Sequence, residues 1–222
     1  MLYCLAKQSM SHQDIFENRK HFQLERLILF SDAVFAIAIT LLVLDIKIPQ
    51  ADWTKTITVD KFNDYLVGII PNMFGFIFSF FIIGLNWTIH HRIFGKAINF
   101  DSKLIWLNFL MLFFIVLLPF TTTLTEYGYL SESFVFYWLN IGLISFVTFF
   151  IQLHLSNPHK NLSAGLEGKN VRYYALSKSL FTAFVCFIGA ALCFTHNSFL
   201  LKLTRYIYIF IFPGMFILKK IF

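Results

Sequence analysis

The chain has 222 residues, of which 58% are hydrophobic and 14% charged, with 30 Phe and a mean hydropathy of +0.69. Soluble domains run near half apolar and about a quarter charged, so a purely water-soluble globule is excluded and lipid must solvate part of this surface. A formal charge of +6 would suit nucleic acid only if Lys and Arg clustered on one exposed face; here they fall between apolar runs, which excludes nucleic acid as a partner and reads as loop charge orienting a membrane protein.

Residues 1–25 show no apolar core and no small-residue cleavage site, so they are expected to form a short cytosolic arm rather than a signal peptide. Beyond them, a bilayer span needs about 20 predominantly apolar residues, and six stretches qualify: 27–48, 65–87, 104–124, 134–155, 173–194 and 199–218. The expected fold is therefore all-α, a polytopic integral membrane protein whose residues 26–222 form one six-helix transmembrane domain. Pro71 in the second span and Pro119 in the third are expected to kink or end their helices. The other residues of the later spans are Phe- and Leu-rich, with polar groups expected near the helix ends. Cys186 and Cys193 share the fifth span, and with Cys4 they make an odd count, so no disulfide framework is expected. Without a His or carboxylate on that run, they form no metal site either. Only 195–198 separate the last two spans, short enough to force an antiparallel hairpin. Most of the 18 Lys and Arg fall on the side of the N-terminus if both termini are cytoplasmic, the arrangement favoured by the unfavourable translocation of basic loops.

The first span differs from the others because Asp32 stands several residues inside its apolar run. An ionisable group at that depth is a functional-site hypothesis, unless it only caps the helix start at the interface. At about 100° per residue, Ile37, Leu41, Leu44 and Ile48 form one stripe with Phe30 in line and Thr40 on its flank, whereas Ser31 and Asp32 point away. The polar pair is thus expected to face other helices of the same subunit. Its candidate partners lie in Asn86-Trp87-Thr88-Ile89-His90-His91-Arg92, where Asn86 with His90, and Trp87 with His91, are spaced to present donors together. His90 and His91 are adjacent on a helix and face different ways, so a metal site there is not expected.

Arg26-x-x-x-Phe30-Ser31-Asp32 resembles the R-x-x-x-F-S-D signature of the lysosomal potassium channel family called transmembrane protein 175. The similarity continues through Thr40-Leu41-Leu42-Val43-Leu44, and Trp87-x-x-His90-His91-Arg92 resembles the family's second-helix motif. The resemblance implies a potassium-selective channel, not an enzyme, whose pore is lined by the first helix of four subunits in a homotetramer of the prokaryotic cell membrane. It makes Ile37 the narrowest hydrophobic ring, with Leu41 and Leu44 as further rings, and Thr40 the source of hydroxyls for selectivity. Arg26, Phe30, Ser31 and Asp32 then support the pore helix together with Asn86, Trp87, His90 and His91. The expected cofactor list is empty, potassium being the permeant ion and no other metal being bound. The sequence has no T-V-G-Y-G run, so a carbonyl-lined P-loop filter is not expected. The competing expectation is a proton-permeable or proton-coupled cation transporter in which Asp32, His90 and His91 relay protons, although broken helices and internal repeats of the usual transporter kind are not visible.

Overall fold

The computed structural model describes residues 12–46, 58–125, 133–164 and 169–195, and all structural statements refer to these. They form five long helices: α1 (His12–Leu41), α2 (Val59–Phe94), α3 (Ser102–Leu124), α4 (Ser133–Leu155) and α5 (Lys169–Leu192). All five are long and apolar enough to cross a bilayer, and with the relationships set out below the chain is a multi-pass membrane protein. The expected sixth span, 199–218, and Cys4 lie outside the described residues.

Hydropathy located the spans but not every helix end. The arm expected at 1–25 is helical from His12 onward and runs without a break into the first span. That span, expected at 27–48, stops being α-helical at Leu41 and tightens into a 3-10 turn over Leu42–Asp45, so the single α-helical stripe drawn through Leu44 does not hold; Ile48 lies outside the described residues. α2 exceeds its expected range at both ends, because Asp60, Asp64 and His90–Phe94 continue the helix beyond the most apolar stretch. Neither proline ends its helix: Pro71 lies inside α2 and Pro119 inside α3.

α4 is the most enclosed element. It packs along both α3 and α5, while α1 lies against α2 and α3. Ile115, Leu118, Ile144, Ile151 and Met111 fill the centre. Contrary to the expectation that polar groups gather near helix ends, α4 buries Asn140, Ser145, Thr148 and Gln152 along its length. In a water-free interior such groups must bond to each other or to backbone. Asn140 Nδ2 donates to the Phe114 carbonyl at 3.1 Å, Ser179 donates to Gln152 Oε1 at 3.0 Å, and Thr148 donates to the Ile144 carbonyl at 2.8 Å. Thr122 Oγ1 and Ser79 Oγ stand 2.8 Å apart, and Ser79 Oγ lies 3.0 Å from Tyr137 Oη, so three hydroxyls join α2, α3 and α4.

One end of the bundle is clamped by its loops. Gly95 closes α2 by donating its N–H to the His91 carbonyl at 2.8 Å. The chain then runs beside residues 162–164: Ile98 N–H donates to Leu162 O at 2.9 Å and Ala164 N–H to Lys96 O at 2.8 Å. Asn161 enters that segment at φ 48°, a left-handed conformation that Asn tolerates better than most residues. Asp101 caps α3 by accepting from Leu104 N–H at 2.9 Å, while its carboxylate also meets His154 Nε2 at 2.8 Å and Lys160 Nζ at 3.1 Å. Burial pushes the Asp101 carboxyl up, but the hydrogen bonds from Leu104, His154 and Lys160, with the charge His154 carries when protonated, outweigh it and draw it down to about 2.

Candidate functional site

α1 presents two unlike faces. Ser31, Phe35, Ala38 and Leu42 follow one another at spacings of four, three and four, and all are buried against α2 and α3, the seam expected of a helix packed along one side. Opposite them, Ile37 is 57% exposed, Leu41 38% and Leu44 71%, and Thr40 is exposed too. The structure therefore leaves all four residues expected to line a pore exposed, Ile37, Thr40 and Leu41 on α1 and Leu44 on the 3-10 turn that follows it. The 3-10 turn draws the chain out at about 2.0 Å per residue instead of about 1.5 Å, so Ile37 and Leu44 are separated by about 12 Å of axial rise.

Thr40 is held in a specific way. Its Oγ1 donates to the Ile37 carbonyl at 2.9 Å. The hydroxyl's single proton is thus committed to the helix, and the oxygen is left with lone pairs directed away from the backbone. An oxygen so arranged is an acceptor, the chemistry a cation requires.

The buried face is fixed by a directional chain of hydrogen bonds. Ser31 Oγ donates to the Leu27 carbonyl at 2.8 Å, so it must accept from Asn108 Nδ2, which approaches to 2.9 Å. The amide orientation follows, leaving Asn108 Oδ1 to accept from His90 Nε2 at 2.8 Å. His90 therefore carries its proton on Nε2. Its ring stacks on Phe94 with centroids 4.2 Å apart and tilts against Phe35 at 5.4 Å, and its Nδ1 has no partner among the described residues. One His, one Asn and one Ser thus bind α2 and α3 to α1.

Asp32 joins α1 to α2 separately. Its Oδ1 accepts from Trp87 Nε1 at 2.8 Å, and the indole stacks on His91 with centroids 5.5 Å apart. Of the eight residues expected to form one supporting network, Asp32, Trp87 and His91 meet at this α1–α2 contact, while Ser31 and His90 are joined through Asn108 of α3. Arg26 and Asn86 are not part of it. Arg26 is exposed and places its guanidinium 5.9 Å from the Phe22 ring centre, whereas Asn86 donates to the Ile82 carbonyl of its own helix at 2.9 Å. Phe30 turns its edge to Phe109 at 5.7 Å, an aromatic contact between α1 and α3.

Asn108 is the residue that sequence reasoning missed. It is not singled out by the sequence, yet it is fully buried and stands at the centre of this chain of hydrogen bonds. The available signal was its flanks: Leu107 and Phe109-Leu110 on either side make an isolated amide, which inside a bilayer demands a partner on another helix. Among the described residues no group of three or more His, Cys, Asp or Glu is arranged to hold a metal ion.

Residues 26–119 match the model of the family described as endosomal/lysosomal potassium channel TMEM175, a segment that holds the whole α1–α2–α3 assembly of Ser31, Asp32, Trp87, His90 and Asn108. A potassium channel of Streptomyces collinus is 40% identical over 99 residues, which cover 44% of this chain and 46% of the relative. A potassium channel of a Chryseobacterium species is 29% identical over 164 residues, covering 73% and 77%. The chain thus spans about half the length of the first of these relatives and about three quarters of the second. The fold is similar to the crystal structure of a lysosomal potassium-selective channel TMEM175 homolog from Chamaesiphon minutus, with a TM-score of 0.69 and 25% identity over 89% of this chain and 96% of the other. Residues 26–119 thus resemble the TMEM175 family of channels, and the fold around them is similar to that of a TMEM175 homolog.

Proposed function

We propose that the chain is one subunit of a potassium-selective channel of the cell membrane, with the first helices of four copies surrounding the pore and both termini in the cytoplasm. The observation that carries this reading is the two-faced α1: its inner side is tied to α2 and α3 by Ser31, Asp32 and Phe35, while Ile37, Thr40 and Leu41, with Leu44 on the 3-10 turn, are left exposed by the single chain. A helix fixed on one side is suited to line an axis on the other. Ile37 forms the constriction, and Leu41 and Leu44 extend it. Rings of this kind close a pore by excluding water, with no charged gate. Thr40, its proton spent on the Ile37 carbonyl, turns acceptor lone pairs to the ion and biases the pore toward potassium. Potassium is cargo here, and no cofactor or carbonyl P-loop filter enters the mechanism.

The relay reading, in which Asp32, His90 and His91 pass protons, is less well supported. Asp32 is bonded to Trp87 and His90 to Asn108, so no hydrogen bond joins the carboxylate to the imidazole. Recording from reconstituted protein separates the two. Potassium current should flow with no proton gradient, and Ile37→Asn should raise the basal open current about tenfold or more by hydrating the constriction. Transport that stalls without a proton gradient would reject the channel, and an unchanged basal current in Ile37→Asn would remove Ile37 from the gate.

A further inference from the structure

A groove of about 530 Å³ runs between α2, α4 and α5, on the side of the bundle away from α1. Its chemistry changes along its length. At the end where α2 finishes and α5 begins, Arg92, Lys96, Arg172 and Lys178 all line it, and no Asp or Glu does so among the described residues. Of the ion pairs those residues form, none involves any of these four side chains. Toward the middle of the membrane the walls become apolar, with Phe78, Leu85 and Ile141.

Several polar groups on those walls are bonded within the chain, whereas the buried Trp138 Nε1, which also lines the groove, has no partner among the described residues. Ser179 is bonded to Gln152, Thr148 to the Ile144 carbonyl, and Thr182 to the Lys178 carbonyl. Among the described residues, the groove thus carries four positive charges without an acidic partner at one end, a single unpartnered indole N–H at Trp138, and largely apolar walls at the other end. From Arg92 back to Phe78 the wall extends about 21 Å at 1.5 Å per residue, somewhat more than the roughly 15 Å that half of a hydrocarbon core occupies. That profile fits a phosphate group with an acyl chain behind it.

We infer that this groove is a binding site for an anionic phospholipid of the surrounding bilayer, its phosphate held by Arg92, Lys96, Arg172 and Lys178 and one acyl chain lying between α2 and α5. Basic pockets between transmembrane helices select acidic headgroups in this way. Arg and Lys contribute differently: the planar forks of Arg92 and Arg172 suit phosphate oxygens in pairs, and the two lysines add point charge. The apolar stretch 199–218 is the rival occupant. An antiparallel return after α5, however, would bring Lys219 and Lys220 to the same end and add positive charge to a site with no Asp or Glu among its described lining residues. The inference does not depend on which ion the protein conducts.

Purified protein should be washed in detergent with equal amounts of phosphatidylglycerol and phosphatidylcholine, and the retained lipid weighed by native mass spectrometry. Wild type should retain phosphatidylglycerol at least about tenfold over phosphatidylcholine. Arg172→Gln with Lys178→Gln should bring that ratio near one without altering the elution volume, whereas Arg172→Lys should keep most of the preference. A preference insensitive to the double substitution, or none in wild type, overturns the proposal. So does a disulfide between Leu85→Cys and Ile209→Cys in a chain freed of its native cysteines, since the groove would then be filled by the protein's own C-terminal stretch.

Discussion

α1 and α4 are both apolar, and both carry polar residues in mid-membrane, yet they use them in opposite ways. Only 22% of the apolar stretch of α1 is buried within the chain, against 61% for α4. In α4 the polar residues are adhesive: Asn140, Thr148 and Gln152 each bond to a neighbouring helix or to backbone. In α1 the polar residues are divided, with Ser31 and Asp32 turned inward as attachments and Thr40 turned outward with its proton occupied. A helix that is attached on one side and bare on the other is built to meet something outside its own chain. α4 is built to stay inside.

The comparison is broken most severely by cutting the attachment of α1. Asn108→Leu removes the carbonyl that accepts from His90 and the amide that donates to Ser31, leaving a buried imidazole N–H with no acceptor. An orphaned buried donor costs about 1–3 kcal/mol, and the loss of both ties places this variant at the upper end, about 3 kcal/mol. The measurement is the thermal midpoint of detergent-purified protein, and an unchanged midpoint would show that the chain of hydrogen bonds does not hold α1.

On the α4 side, Gly142 is where the closest helix pair meets. A Cβ there would stand 2.8 Å from Phe187 Cε1 and 3.3 Å from the Cys186 Cβ, closer than atoms pack. Gly142→Val should force the α5 ring aside at a cost of about 1–3 kcal/mol, seen as a lower midpoint with pore properties retained by the channels that survive. A selectivity change as large as the stability change would mean that α4 is not the purely internal element described above.

How far the sequence reveals all this depends on which force sets each feature. α3 and α4 were legible almost to the residue, 104–124 against Ser102–Leu124 and 134–155 against Ser133–Leu155, because their ends coincide with the ends of their apolar runs. α1 and α2 were not, because His12–Arg26 and His90–Phe94 remain helical outside or at the edge of the lipid, and hydropathy reports lipid depth rather than backbone hydrogen bonding. The placement of Ser31 and Asp32 opposite Ile37 and Leu41 followed from helical periodicity. Which atom met which did not: Trp87 rather than Asn86 reaches Asp32, and Asn108 stands between Ser31 and His90, because partner choice depends on helix crossing and rotation that one sequence does not encode visibly.

Acid should test the clamped end of the bundle, next to which α4 finishes. The Asp101 carboxyl, held down at about 2, falls below its unfolded value near 3.9, so the ionised form stabilises the fold. That contribution is complete above about pH 4 and is lost as pH falls through about 2. The Asp101 side chain is about one-third exposed, so solvent screens the effect and keeps it modest. Asp101→Asn retains an acceptor for Leu104 N–H but removes the charge, and it should flatten the dependence of the thermal midpoint on pH between 4 and 2. An equally steep loss in the variant would place the acid sensitivity elsewhere.

The smallest effect on folding and the sharpest on function should come from the bare face of α1. Thr40→Val keeps the side-chain shape and removes one oxygen. Its hydroxyl bonds only to the Ile37 carbonyl of its own helix and the residue is exposed in the single chain, so the midpoint should move by less than about 0.5 kcal/mol equivalent. If the freed lone pairs replace part of a passing ion's hydration shell, removing them takes away the only side-chain oxygen between Ile37 and Leu44, and the potassium-to-sodium permeability ratio should fall several-fold. Reversal potentials under bi-ionic conditions read that ratio directly. A ratio that stays constant while the midpoint drops would reverse the assignment, making Thr40 an attachment like Ser31 and leaving the apolar rings alone to account for selectivity.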